Sequence, residues 1–91
     1  MAPTAQPARL ISVLLDSAAP LGDRLDAAMD LSEFDDPVAE QALLRLALDT
    51  YGDGDLADEA GHSLRQIWRR TGKHDSSLVA QMHPEARKFF K

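Results

Sequence analysis

Four acidic residues at helical spacing are the part of this sequence best suited to chemistry. They follow one another at intervals of 3, 4 and 3 residues: Asp23, Asp26, Asp30 and Glu33. This spacing places all four on one face of a helix, opposite the apolar positions Leu21, Leu25 and Met29. Like charges at that spacing destabilise an isolated helix by roughly 0.2–0.5 kcal/mol per pair. The row is therefore either a solvated helix face or a surface that binds a cationic partner.

The acids around this row form a larger excess. Residues 16–59 contain thirteen Asp and Glu against Arg24 and Arg45, whereas residues 60–91 contain two acids and seven basic residues. A polarised field steers oppositely charged partners and repels surfaces of its own sign. We therefore expect a basic protein as partner, and neither nucleic acid nor membrane. The further predicted contacts are acids of loops and helix starts, with one tyrosine, a residue type enriched at interfaces: Asp35, Asp36, Tyr51, Asp53, Asp55, Asp58 and Glu59.

The acid-rich loop that starts at Asp53 lacks the pattern of a calcium site. An EF-hand loop needs oxygen ligands at positions 1, 3 and 5, glycine at position 6 and glutamate at position 12. Counted from Asp53, positions 5, 6 and 12 are Ala57, Asp58 and Leu64. Capping explains most of the cluster, because acids are favourable at a helix N-terminus. We expect no metal and no cofactor.

Candidate catalytic groups are sparse. The histidines, His62, His74 and His83, do not have ligand spacing on one helix. An acid–base pair could be imagined from His62 and Asp58, but nothing supplies a nucleophile, an oxyanion hole or a phosphate-binding loop. The motifs G-x-G-x-x-G and H-E-x-x-H and the Walker loop do not occur. The sequence therefore predicts a protein that is not an enzyme.

The basic residues near the C-terminus do not indicate nucleic-acid binding. Such binding relies on a basic footprint, and the formal net charge of this chain is −5. We expect these cations to pair with acids of neighbouring helices instead: Arg65, Arg69, Arg70, Lys73, Arg87, Lys88 and Lys91.

The length of 91 residues predicts one small domain, which buries roughly 60–65% of the surface of its unfolded chain. We place this domain at residues 9–91, after a flexible tail at residues 1–8 that contains two prolines. The absence of cysteine excludes disulfides and thiolate metal sites. No apolar stretch approaches the roughly 20 residues of a membrane helix, and no signal peptide is recognisable. We expect a cytoplasmic protein, and a monomer rather than a homo-oligomer.

Apolar periodicity predicts an all-α fold of about five to six short helices. Asp36 and Pro37 mark one helix start, Asp55 is the predicted N-cap of the fourth helix, and Gly72 is its predicted C-cap. No segment shows the strict alternation of a strand. The predicted helices cover residues of about 9–17, 21–34, 37–50, 56–71, 76–82 and 84–90.

The second and fourth predicted helices are similar at an offset of 35 residues. The matching pairs are Leu21/Leu56, Asp23/Asp58, Leu25/Ala60 and Met29/Leu64. Two helical hairpins related in this way would stack in parallel layers, each burying what the other cannot bury alone. Apolar pairings also arise by chance between amphipathic helices, so a true repeat and a chance similarity are both open.

Three segments of residues 20–68 have a recognisable pattern: the Asp-Asp-Pro-Val turn at Asp35, the Ala-Leu-Leu segment at Ala42 and the Asp-Leu-Ala-Asp-Glu-Ala-Gly segment at Asp55. In these segments the chain resembles the small HEAT-repeat-like proteins of bacteria. The offset of 35 residues is shorter than the roughly 40–47 of ordinary HEAT units. The family includes immunity proteins of contact-dependent and other polymorphic toxin systems, several of them short and acidic.

That resemblance implies a HEAT-like array of stacked helical hairpins. It also implies an immunity protein that binds and neutralises a cognate basic toxin domain, such as a nuclease, through its acidic surface. A general HEAT-like protein–protein adaptor is the alternative. A third possibility is a subunit that self-associates by pairing its acidic middle with its basic tail.

Overall fold

The computed structural model describes residues 6–90. Every regular element over this range is helical: α1 (Gln6–Leu15), α2 (Leu21–Leu31), α3 (Pro37–Ala47), α4 (Gly54–Thr71), α5 (Ser76–Gln81), α6 (Pro84–Arg87) and a 3₁₀ turn (Lys88–Phe90). The predicted fold class, a small all-α array of short helices, is confirmed.

Consecutive helices pair as hairpins, and the hairpins stack in two layers. The helix α1 packs against α2, and α3 packs against α4. Between hairpins, α2 lies beside α4 and α4 beside α6, while α1 lies beside α3. The array is flat, with principal extents of 38 × 30 × 14 Å. One layer therefore contains α2, α4 and α6, and the other contains α1 and α3.

Two contacts show that α2 and α4 run in the same direction. The Ser63 hydroxyl donates a hydrogen bond of 2.7 Å to the carbonyl of Ala28. Near the C-terminal end of α4, Arg70 Nε donates a bond of 2.8 Å to Asp35, which follows the C-terminal end of α2. Each contact joins positions 35 residues apart. The two helices with similar sequences are therefore packed side by side in matched register, as expected for stacked hairpins.

Replacement of Ser63 by alanine is expected to lower the free energy of unfolding by about 1 kcal/mol. The serine side chain is 1% exposed and forms a buried hydrogen bond between α2 and α4. The exposed Ser12→Ala on α1 is the matched control and should stay within about 0.5 kcal/mol of wild type. Urea denaturation followed by the fluorescence of Trp68 measures both. Equal stability of the two variants would show that the interhelical bond contributes nothing.

Aspartate is the N-cap residue of three helices. Asp36 accepts from the N–H groups of Val38 and Ala39, and Asp75 caps α5 in the same way. The predicted N-cap of α4, Asp55, is wrong: Asp53 is the cap and accepts from Leu56 N–H at 3.0 Å. Gly54 enters the helix, so Asp55 lies in the first turn, where its charge is still favourable.

Other helix ends also differ from the sequence prediction. The helix α1 begins at Gln6 rather than near residue 9, because proline is tolerated in a first helical turn and Pro7 occupies it. The rest of the predicted tail, Met1–Ala5, lies outside the described residues. The helix α2 ends at Leu31 rather than near residue 34, since its next three N–H groups bond three residues back, beginning with Ser32 to Met29. Hydrogen bonds of that 3₁₀ type tighten and terminate a helix.

The core lies between the two layers. Its largest fully buried side chains are Leu14, Leu31, Leu43, Leu64, Ile67, Trp68 and Met82. The indole N–H of Trp68 donates to Glu40 at 2.8 Å, and the ring meets Phe90 edge-on at 5.3 Å. Satisfying a buried polar group in this way avoids the cost of leaving it unpaired. Trp68 is therefore a core residue that ties α4 to α3 and to the C-terminal turn.

The prediction of the buried face of α2 was partly wrong. The buried residues of that face are Ala27, Ala28, Leu31 and Ser32. Met29 is 51% exposed and Leu21 is 39% exposed, although both belong to the apolar row that the sequence places opposite the acids. Small residues let neighbouring helices approach closely, so α4 packs on the side of α2 that contains the alanines, and Leu21 and Met29 turn outward.

Candidate partner-binding surface

The four acids of α2 form one exposed face. We call Asp23, Asp26, Asp30 and Glu33 the α2 acidic face. All four are exposed, and they lie away from Ala27, Ala28 and Leu31, which α2 buries. Within residues 6–90 none of the four forms an ion pair. Four like charges on one helix without internal counter-ions raise the local negative potential, which suits the capture of a cationic partner.

Apolar atoms accompany these charges. Met29 lies three residues after Asp26 and four before Glu33, on the same side of the helix. Its side chain is half exposed, and methionine is flexible and polarisable enough to fit differently shaped partners. The sequence prediction was wrong here, because it placed Met29 on the face opposite the acids. The combination of an adaptable apolar side chain with charge is better suited to a protein surface than to a small ion.

A shallow groove lies at the C-terminal end of the α2 acidic face. Its lining residues are Leu10 and Phe34, which are apolar, and Asp30 and Glu33, which are acidic. Lysine and arginine side chains pack their aliphatic stems on apolar surface and keep their charged groups in polar surroundings. The groove can therefore accept one such side chain of a partner, with its cationic group between the two carboxylates.

Two of the predicted contacts, Asp35 and Asp58, are already paired within the molecule. Asp35 binds Arg70 at 2.6 Å, and Asp58 binds Lys88 at 2.6 Å. The hydrogen bonds that the Lys88 ammonium donates to Asp58 and then to Glu85 raise the pKa of Lys88 above its usual value. Glu40, which was not among the predicted contacts, binds Lys73 at 2.7 Å. These pairs connect the ends of helices, so Asp35 and Asp58 are less available to a partner than the α2 acidic face.

The remaining predicted contacts divide into caps and exposed groups. Asp36 and Asp53 use their carboxylates to cap α3 and α4. Asp55 and Glu59 lie in the first two turns of α4, and within the described part of the chain neither forms an ion pair. Tyr51 is 99% exposed in the loop between α3 and α4. Tyr51 and Asp55 thus add exposed groups to the surface and Glu59 adds a half-buried one, whereas Asp36 and Asp53 have structural roles.

The structure does not bring all the predicted residues into one patch. Asp35 and Asp36 follow the C-terminal end of α2, near Arg70. Tyr51 and Asp53 lie at the other end, where a groove joins the loop after α3 to Arg24 and to Ser17 in the loop before α2. The 11 residues of α2 separate these ends by about 16 Å. The α2 acidic face is therefore the central surface, with one acidic loop beyond each end.

The basic residues near the C-terminus are largely engaged inside the molecule. Arg70, Lys73 and Lys88 form the ion pairs just described, and Arg65 Nε donates to the carbonyl of Phe89 at 3.0 Å. The expectation that these cations pair with acids of neighbouring helices is confirmed for these three ion pairs. It follows that the polarity seen in the sequence is partly neutralised in the fold, whereas the α2 acidic face is not.

Two of the histidines, His62 and His83, contact residues of the C-terminal segment. His62 stacks on the ring of Phe89 at 5.0 Å, and His83 Nδ1 accepts from Glu85 N–H at 3.0 Å. Among residues 6–90, no three or more His, Asp or Glu side chains are grouped so that they could hold a metal ion. In the same part of the chain, no helix is long and apolar enough to cross a membrane.

Comparison of the chain with protein-family models, with curated proteins and with solved structures finds no match in any of the three.

Proposed function

We propose that this chain is a stoichiometric binding module for a basic protein, and that the partner is a toxin domain that the chain neutralises. The observation that carries the binding role is the α2 acidic face, four exposed acids without ion pairs in residues 6–90. The toxin as partner is suggested by the resemblance to HEAT-like immunity proteins. Binding alone, without inhibition, would correspond to the adaptor role.

Electrostatic attraction would act before contact. Complementary charge raises association rates and fixes the orientation of partners more than it raises affinity. The α2 acidic face would therefore draw in the cationic surface of the partner, and Met29 would supply apolar contact once water is displaced. A nuclease must keep its substrate cleft positive in order to hold phosphate groups. Covering such a cleft with acids would block the substrate without any chemical step.

The alternative, in which the acidic middle of one copy pairs with the basic tail of a second copy, has less support. Arg70, Lys73 and Lys88 already have carboxylate partners in the same molecule. Breaking those pairs to form similar ones with a second copy would gain little free energy, because exposed ion pairs contribute only about 0–1 kcal/mol each.

Co-expression tests the proposed role. The chain is expressed in bacteria together with a basic, toxic protein encoded by an adjoining reading frame. We expect restored growth, and a complex with one copy of each protein that elutes as a single species on size-exclusion chromatography. Continued toxicity with a well-folded, soluble chain would overturn the immunity role. A stable complex that leaves the partner toxic would replace it with the adaptor role.

A further inference from the structure

The layer opposite the α2 acidic face contains an apolar groove. It runs between α1 and α3, and we call it the α1–α3 groove. Its lining residues are Ile11, Leu15, Val38, Gln41, Ala42 and Arg45. Val38 is 62% exposed, the largest exposure of any aliphatic side chain among the exposed large hydrophobic residues. The groove therefore exposes apolar surface that the fold itself does not cover.

The charges on this layer have the opposite sign to those of α2. The helix α1 contains no acid, and the only acid of α3 is Glu40. Glu40 is engaged by Trp68 and Lys73. Arg9 and Arg45 are exposed and form no ion pair within the described range. The two helices of this layer thus leave both arginines without an ion-pair partner in residues 6–90, while the flanking acids are Asp36, which caps α3, and Asp16, which follows α1.

The exposed side of α2 is complementary to this groove. Leu21, Leu25 and Met29 form one row along the helix at intervals of four residues, in which Leu21 and Met29 are exposed and Leu25 is partly buried against the core. The row is about 12 Å long at 1.5 Å per residue, and the ridge of α3 from Val38 to Arg45 is about 10.5 Å long. Acids lie beside the row, and arginine lies beside the groove. The two surfaces therefore match in length, in apolar character and in sign of charge.

We propose that a second copy of this chain occupies the α1–α3 groove with the exposed side of its α2. Its Leu21 and Met29 pack on Ile11, Leu15 and Val38, and its acids approach Arg45. The two surfaces belong to different layers, so the contact is heterologous, and each copy keeps one free surface. Association of this kind forms chains of copies, which are open or close into a ring, rather than a dimer with two equivalent contact surfaces. This inference does not depend on the proposed toxin, although a basic partner on α2 would compete with the second copy.

The contact is small, so the association is weak. Interfaces at the low end of the size range belong to transient complexes, and we expect a dissociation constant on the order of 0.1–1 mM. The protein is therefore monomeric at micromolar concentration. Sedimentation velocity up to about 1 mM protein should show a mass average that rises with concentration and falls at about 0.5 M salt, where charge attraction is screened. A monomer at every concentration in low salt would overturn the proposal.

Two exposed substitutions test the two surfaces separately. Val38→Glu places a repelling charge in the groove and keeps α2, whereas Met29→Lys changes α2 and keeps the groove. Because both side chains are exposed, both variants should fold, which far-UV circular dichroism checks. Each variant alone should associate at least 10-fold more weakly than wild type. Ala80→Lys, an exposed change on α5, is the control and should associate as wild type does.

A mixture of the two variants gives the decisive result. The intact α2 of Val38→Glu fits the intact groove of Met29→Lys, but neither component can extend the chain. An equimolar mixture should therefore form a heterodimer that stops at two copies. A mixture that stays monomeric, or a single variant that still associates like wild type, would show that these two surfaces do not meet.

Discussion

Replacement of Gly61 by alanine is expected to lower the free energy of unfolding by about 1–3 kcal/mol, although alanine is the better helix former. A Cβ atom at Gly61 would lie 2.5 Å from the Cα of Ala86 and 2.8 Å from its carbonyl oxygen. These are backbone atoms of the buried residue at the centre of α6, so no flexible side chain can move aside. The helix α6 must therefore shift away from α4 or leave it.

Gly22→Ala is the matched control, with the opposite expected sign. Gly22 lies in α2 with no positive φ, and a Cβ atom there would meet nothing within 4 Å. Alanine in place of an unstrained helical glycine should stabilise the protein by about 0.4–1 kcal/mol. Because both variants make the same glycine-to-alanine change, the difference between them separates the effect of packing from the effect of helix propensity.

Thermal and urea denaturation of both variants measure the difference. A change of 1 kcal/mol shifts the melting temperature of a domain of this size by about 4–8 °C. We expect a lower melting temperature for Gly61→Ala and a higher one for Gly22→Ala. An unchanged or raised melting temperature for Gly61→Ala would show that α6 does not pack on α4 at the distance described.

Neutralising the centre of the α2 acidic face should have the largest effect on function. We expect the double variant Asp26→Asn/Asp30→Asn to bind a basic partner about 10–100-fold more weakly, which corresponds to about 1.4–2.8 kcal/mol. Neither carboxylate forms an ion pair within residues 6–90, so the free energy of unfolding should change little. Part of the loss should appear in the association rate, because complementary charge steers the encounter.

A control variant with the same net charge isolates the position of the charges. Ser12→Lys/Ala80→Lys changes the net charge by the same two units, by adding positive charges at exposed positions of α1 and α5. Surface plasmon resonance at low and at physiological salt should give nearly wild-type affinity for this control. If both double variants bind equally weakly, only net charge matters, and the α2 acidic face is not the binding surface.

Local chemistry was sufficient to predict much of the fold. Apolar periodicity located the helices, Asp36 and Gly72 were recognised as caps, and the offset of 35 residues anticipated that α2 and α4 lie together. These features depend on nearby residues or on a repeated pattern. They can therefore be read from one sequence.

The errors concern contacts between distant segments. Both Asp53 and Asp55 have the side chain of an N-cap, and only the path of the loop after α3 selects Asp53. Met29 has helical spacing with Leu21 and Leu25, yet α4 packs on the alanines of α2 and leaves Met29 outside. Likewise, the pairing of Asp35 with Arg70 depends on the parallel stacking of hairpins. The acids of the candidate surface could be identified from sequence, but not which of them lack an internal partner.

Neutralisation of a basic toxin through the α2 acidic face is the central claim, and titration of toxin activity tests it most directly. Purified chain is added stepwise to a fixed amount of the toxin encoded beside it. Wild type should abolish activity at one copy per toxin, and Asp26→Asn/Asp30→Asn should need a large excess. Full toxin activity in the presence of excess wild-type chain would contradict the claim, and so would equal inhibition by the two proteins.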